Sequence, residues 1–280
     1  MVKKNFLIIS LGLILVGFIL RIYNLNYESY WWDEMLGFWT ANPNISFLET
    51  YTRHINNDYT SIAYHLFLKS YYFFFGYIPE HGRYLTMLIG VVCIPLMGIL
   101  MKQLNNDKLP IYIAMFLTSF NVFLIEYSQE NRVYILIFLV SVLNLIYFSK
   151  LIFKKEKLIS NFVLYLVLSI TGLILSPFFI ILIGGQIFYI LFQSLFFKDN
   201  NYKIILLALL SIAIYSGLFA NNLISIISSS SMTDKGVGYA DFNPNIRFLK
   251  DLFFPKFFGS KIMGLIFIVT FISAIIFNYK

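Results

Sequence analysis

Residues 158–197 carry no charged side chain, and this limits the fold more than any other feature of the chain. As one straight helix the stretch would be about 60 Å long, roughly twice the ~30 Å hydrocarbon core of a bilayer. It is too long for one crossing and long enough for two, so the sequence predicts a helical hairpin. Ser176-Pro177 marks the turn, because the residue before a proline is pushed out of the helical region. Further apolar runs cover 5–20, 84–101, 109–125, 133–149, 204–221 and 262–278. With the hairpin arms 158–175 and 177–197 they make about eight crossings. The expected fold is all-α: a polytopic transmembrane helix bundle forming a single domain over 1–280.

Composition agrees. Hydrophobic residues make up 59% and charged residues 12% of the chain, against about 25% charged in a soluble domain. The formal charge of +7 does not point to nucleic acid, because the basic residues are scattered through short loops rather than gathered in one patch. The start, "MVKKNFLIISLGLILVGFIL", is basic and then apolar with no small-residue cleavage site after it. It reads as an uncleaved first crossing. The single cysteine, Cys93, lies inside an apolar run and reads as core packing.

Residues 60–78, "TSIAYHLFLKSYYFFFGYI", are long enough to cross but hold His65 and Lys69 mid-segment. Lysine distribution decides between the choices, since short cytoplasmic loops are rich in Lys and Arg. If 60–78 stays on one side, Lys3, Lys4 and the lysines of 102–108, 150–157 and 198–203 all fall on the cytoplasmic side. If it crosses, that bias is lost. The expectation is a helix lying at the outer surface, inside an outer juxtamembrane loop spanning 21–83, with both termini cytoplasmic. A second outer loop is expected over 222–261. Most of the fourteen acids then fall outside, together with Arg21, Arg53, Arg83, Arg132, Lys235 and Arg247.

Two outer stretches hold the candidate chemistry. "YWWDEMLGFW" (30–39) contains all three tryptophans around Asp33 and Glu34. "EYSQENRVY" (126–134) is a short connection between two apolar runs, so Glu126, Gln129, Glu130 and Arg132 must sit at the membrane surface beside it. A carboxylate can take a proton from a hydroxyl, and a guanidinium can hold phosphate with two parallel hydrogen bonds. Adjacent helical residues point in different directions, so Asp33 and Glu34 are expected to divide their roles. Plainer readings stay open: the acids as a first-turn pair favouring a helix N-terminus, the tryptophans as interface anchors, Arg132 as a snorkelling arginine.

The order of these features resembles the glycosyltransferase-C superfamily, in its protein O-mannosyltransferase and aminoarabinose-transferase-like branch. "RIYNLNYESYWWDEMLGFW" is similar to that family's opening outer loop with its acidic pair. "NDYTSIAYHLFLKSYYFFFGY" resembles its juxtamembrane segment, with Thr60-Ser61 where the family has two prolines. "GRYLTMLIGVVCIPLMGILMKQL" is similar to its second crossing, opened by an arginine, and "YSQENRVYIL" to its short Ser-x-x-x-Arg-x-Tyr loop. The resemblance covers roughly 5–150.

What the resemblance implies is transfer of a sugar, with inversion, from a polyprenyl-phosphate carrier to a hydroxyl of a protein, lipid or glycan at the outer face of the cell membrane. It implies Asp33 as catalytic base, Glu34 in support, and Arg132 on the leaving phosphate, with Lys69 and Arg83 as further phosphate candidates. Asp58, His54 and Glu130 would line the acceptor side. A divalent cation is conceivable at the adjacent carboxylates, without a full set of ligands. The alternatives are a non-catalytic membrane partner of the same fold and a lipid or solute transporter.

Overall fold

The computed structural model describes residues 2–57, 61–105, 107–154, 158–197 and 202–230, with the single positions Leu265 and Val269. Over these residues all regular structure is helical: α1 (Val2–Ile22), α2 (Trp32–Thr40), α3 (Phe47–Asn57), α4 (Ile62–Phe75), α5 (Pro79–Leu104), α6 (Lys108–Phe120), α7 (Val122–Gln129), α8 (Tyr134–Ser149), α9 (Leu158–Leu175), α10 (Ile180–Phe197) and α11 (Tyr202–Ser230). Three helical spans are long and apolar enough to cross a membrane: Pro79–Leu104, Tyr134–Phe153 and Pro177–Leu195. The bent pair α6–α7 makes a fourth if counted as one span.

The charge-free stretch is a hairpin with its break at Ser176-Pro177. Its arms face each other through Tyr165 and Gln186, and Phe179 fills the space over Gly172. One expected run gains a bend, and one expectation needs correction. The run 109–125 is not one straight helix. Asn121 ends α6 through its N–H to the Leu117 carbonyl and starts α7 by accepting from Leu124 N, so the axis bends by 51°. The break frees carbonyls that need partners in an apolar setting. Arg21, wholly buried, donates to the carbonyls of Thr118, Ser119 and Gly17 and to Ser128 Oγ. In addition, 222–230 continue α11 rather than opening a loop, since no Gly or Pro interrupts them. The rest of that loop and the expected last crossing, 262–278, lie outside the described residues apart from Leu265 and Val269.

Contacts along the helices give their directions. Phe6 meets Tyr112, and Ser119 Oγ donates to the Leu13 carbonyl, so α1 and α6 run parallel. Gly90 lies against Ser128 and Gly98 against Met115, so α5 runs the opposite way. α8 runs with α5, Leu100 packing on Val142 and Ile146. α9 returns against α8 through Asn144–Ser169 and Phe148–Tyr165. One end of the bundle therefore gathers Lys102, Lys108, Lys150 and Lys203. The other gathers the end of α1, the start of α5, and the α7–α8 and α9–α10 turns.

α4 belongs to that second end. Its 14 residues reach only about 21 Å, short of the hydrocarbon core. Tyr64, Leu68 and Tyr72 form its buried face on the main core cluster. Ser61 caps its start and donates to the Ile174 carbonyl at the end of α9. Gly76 ends it at φ +101, a conformation that side-chain-bearing residues rarely adopt.

Candidate functional site

The site grows from the first turn of α2. Trp31 is extended and caps the helix; Glu34 reaches back so that its Oε2 accepts from Trp31 N at 3.2 Å, one half of a capping box. The helical turn sends Asp33 and Glu34 in different directions. The Asp33 side chain is 60% exposed and that of Glu34 is 1% exposed.

Glu34 is the inner acid. Arg83, near the start of α5, grips it with Nε to Oε1 at 2.9 Å and Nη2 to Oε2 at 2.6 Å. The remaining Arg83 donors go to the carbonyls of Leu25, Glu28 and Ser29, and the Tyr30 ring lies 4.2 Å from the guanidinium carbon. A guanidinium has five N–H groups, and all five have protein acceptors here. The sequence reading puts Arg83 among the phosphate candidates. In this arrangement it ties the first loop to α5 and has no donor left for a ligand.

Asn131, which sequence reasoning passed over, completes the inner layer. Its N–H donates to Glu34 Oε1 at 2.7 Å, its Oδ1 accepts from Tyr64 at 2.8 Å, and its Nδ2 donates to the Tyr72 hydroxyl at 3.2 Å. Gly82 packs so closely that a Cβ there would overlap Asn131 and the Tyr72 hydroxyl. Glu34 and Asn131 thus lock the two loops in register. Their sequence neighbours, Asp33 and Arg132, meet on the outer side, with Nη2 to Oδ2 at 3.2 Å. Gln129 fastens the second loop to the end of α1 through the Arg21 and Tyr23 carbonyls.

Beside the outer pair lies a shallow dent, too tight to hold a water molecule, walled by Asp33, Arg132, Gly37, Tyr64 and His65. His65 is fully buried, and its ring stands 5.4 Å from that of His54. Gly37 lies one helical turn beyond Asp33, a spacing already legible in "DEMLG". Glu130 is half-buried next to the inner layer; burial first, and then the charge of Glu34, raises its carboxyl above the usual 4.5.

Lys69 stands apart from the pair. Its ammonium donates to the Ile45 and Ser46 carbonyls and to Thr50 Oγ1, stapling α4 to the start of α3. Burial, then the nearby Arg53, lowers its pKa. Asp58 lies outside the described residues. The carboxylates do not suit a divalent cation: Glu34 is held by Arg83, Trp31 N and Asn131 N, and Asp33 faces a guanidinium. Among the described residues no group of three or more His, Cys, Asp or Glu is placed to hold a metal. No family model matches the chain, and no curated protein or solved structure matches it.

Proposed function

We propose that the chain is an integral membrane glycosyltransferase that moves a sugar from a polyprenyl-phosphate carrier to a hydroxyl of a protein, lipid or glycan, with inversion. The observation that carries this reading is the Asp33–Arg132 pair, 3.2 Å apart and drawn from two distant loops onto one surface, with Asp33 exposed. A base and a phosphate-binding cation are the two tools this transfer needs. The acceptor oxygen attacks the anomeric carbon from the side opposite the phosphate. Its proton passes to Asp33, and the anomeric C–O bond breaks with its electron pair on the phosphate oxygen. Arg132 meets the charge that grows there. In the unliganded chain Arg132 is held by Asp33; a donor phosphate that takes the guanidinium leaves the carboxylate ready to accept a proton.

The inner residues have a different part. Glu34, Arg83 and Asn131 hold the two loops together, and Lys69 holds α3 to α4. Glu130 and His54 stand close enough to line the acceptor side. The topology we propose has eight crossings, loop 21–83 outside, and both termini in the cytoplasm, as the clustering of lysines at the far end of the bundle favours. The membrane we propose is the cell's plasma membrane, with the site on its outer face, as the resemblance to the glycosyltransferase-C superfamily implies.

The test is sugar transfer in liposomes holding the purified chain, supplied with a panel of polyprenyl-phosphate sugars. The expected result is release of polyprenyl phosphate and a product of inverted anomeric configuration. A folded chain that transfers nothing across the panel would contradict the proposal and return weight to a non-catalytic partner or a transporter.

A further inference from the structure

The connection that carries Arg132 is short. α7 ends at Gln129 and α8 begins at Tyr134, so the few residues between them set where the guanidinium stands. Asn131 fastens the connection on one side, to Glu34, Tyr64 and Tyr72. Gln129 fastens it on the other. Its Nε2 donates to the Arg21 carbonyl at 3.0 Å and to the Tyr23 carbonyl at 2.8 Å, where α1 ends and leaves carbonyls without intrahelical donors.

That end of α1 is itself anchored. The Arg21 guanidinium donates to the Thr118 and Ser119 carbonyls at the close of α6 and to Ser128 Oγ in the last turn of α7. Gly90 of α5 leaves the room, since a Cβ there would overlap Ser128 and come within 3.0 Å of Arg21 Nε. Arg21 therefore grips both the break before α7 and the last turn of α7. Ser128 already fixes that turn; what the Gln129 bonds add is a hold on the chain three residues before Arg132.

We propose that Gln129 is a positioning residue for Arg132: it ties the α7–α8 connection to the anchored end of α1 and so fixes where the guanidinium stands relative to Asp33. The inference rests on the transferase reading above and adds to it a residue that acts through Arg132 without touching substrate. A cation stabilises the leaving phosphate only from the place where the charge grows, and a misplacement of about 1 Å can cost roughly 100-fold in rate.

Gln129→Met tests this. The substitution keeps the length of the side chain, removes both donors and leaves every charge in place. Gln129 is half-buried and neutral, so no buried ion is left unpaired. Transfer per folded protein should fall by about 10–100-fold. In an Arg132→Ala background the same substitution should change transfer by no more than about twofold, because the group it positions is gone. The effects of the two substitutions on unfolding temperature should add. Wild-type transfer by folded Gln129→Met, or the same loss with and without Arg132, would overturn the inference and leave the transferase reading standing. Coupling of the two positions in unfolding would also overturn it, by making Gln129 a structural residue only. Wild-type transfer by Arg132→Ala, or no transfer by wild type, overturns the reading of the site and the positioning role together.

Discussion

Two of the buried polar clusters among the described residues are built differently. The first lies midway along the helices. Asn144 of α8 donates to Ser169 of α9 at 2.9 Å and accepts from Gln186 of α10 at 2.6 Å, while Tyr165 donates to Gln186 at 2.8 Å. It is neutral, buried on every side, and each member answers another. The second lies at the Asp33 end, where Glu34, Arg83 and Asn131 are equally buried but carry charge, and the layer continues outward into Asp33 and Arg132. A closed neutral cluster fixes how three helices pack. A charged cluster with an open outer side can present its last pair to a ligand. The difference separates scaffold from site where composition does not.

The largest effect should come from splitting the inner ion pair. Arg83→Ala leaves Glu34 buried without its counter-charge, a loss of about 3–5 kcal/mol. Tryptophan fluorescence during unfolding in detergent would read it, since Trp31 and Trp32 adjoin Glu34. A double substitution, Glu34→Gln with Arg83→Met, should cost less than the single one; a larger cost would show that the charges themselves hold the loop. Next in size is Asn144→Leu, which takes the acceptor from Gln186 Nε2 and one donor from Ser169 Oγ. It should destabilise by about 1–3 kcal/mol and leave transfer by the folded fraction unchanged. If folded Asn144→Leu transfers no sugar, the division between scaffold and site fails.

Smaller still is the effect of the outer pair on folding. With Asp33 60% exposed, Arg132→Ala should change stability by no more than about 1 kcal/mol while transfer falls sharply. The smallest effect concerns pH. The folded state holds the Glu130 proton more tightly than the unfolded chain does, because burial and Glu34 oppose its charge. The native state then binds more protons in the window just above the usual 4.5, so stability falls as pH rises through it. Glu130→Gln should flatten that slope in unfolding measurements taken across the window; a slope unchanged by the substitution would remove Glu130 from the inner layer.

Much of the bundle was legible beforehand. Among the described residues apolar run length located the long helices, and the charge-free stretch with its proline located the hairpin. The lysines placed 60–78 at one end, where α4 lies. The bend at Asn121 was not legible, because an asparagine inside an apolar run reads the same whether it faces a neighbour or caps a break; Arg21, in a distant helix, is what makes the break tolerable. At the site, proximity of "WWDE" and "SQENR" followed from loop length. The ranking of arginines did not. Arg83 and Arg132 both begin apolar helices, and only the packing of α2 against α5 turns one inward with every donor engaged and leaves the other beside Asp33. Asn131 escaped notice for a related reason, since its backbone N–H does much of the joining and any residue type carries one.

The most direct test of the account is single-turnover sugar transfer from a polyprenyl-phosphate donor by Asp33→Asn, beside wild type, in liposomes at matched folded protein. Asparagine keeps the shape and removes the base, so the account expects transfer to fall by about 10²–10⁴-fold with unfolding nearly unchanged. Transfer at the wild-type rate by Asp33→Asn would contradict it, and would make the Asp33–Arg132 pair one more surface ion pair.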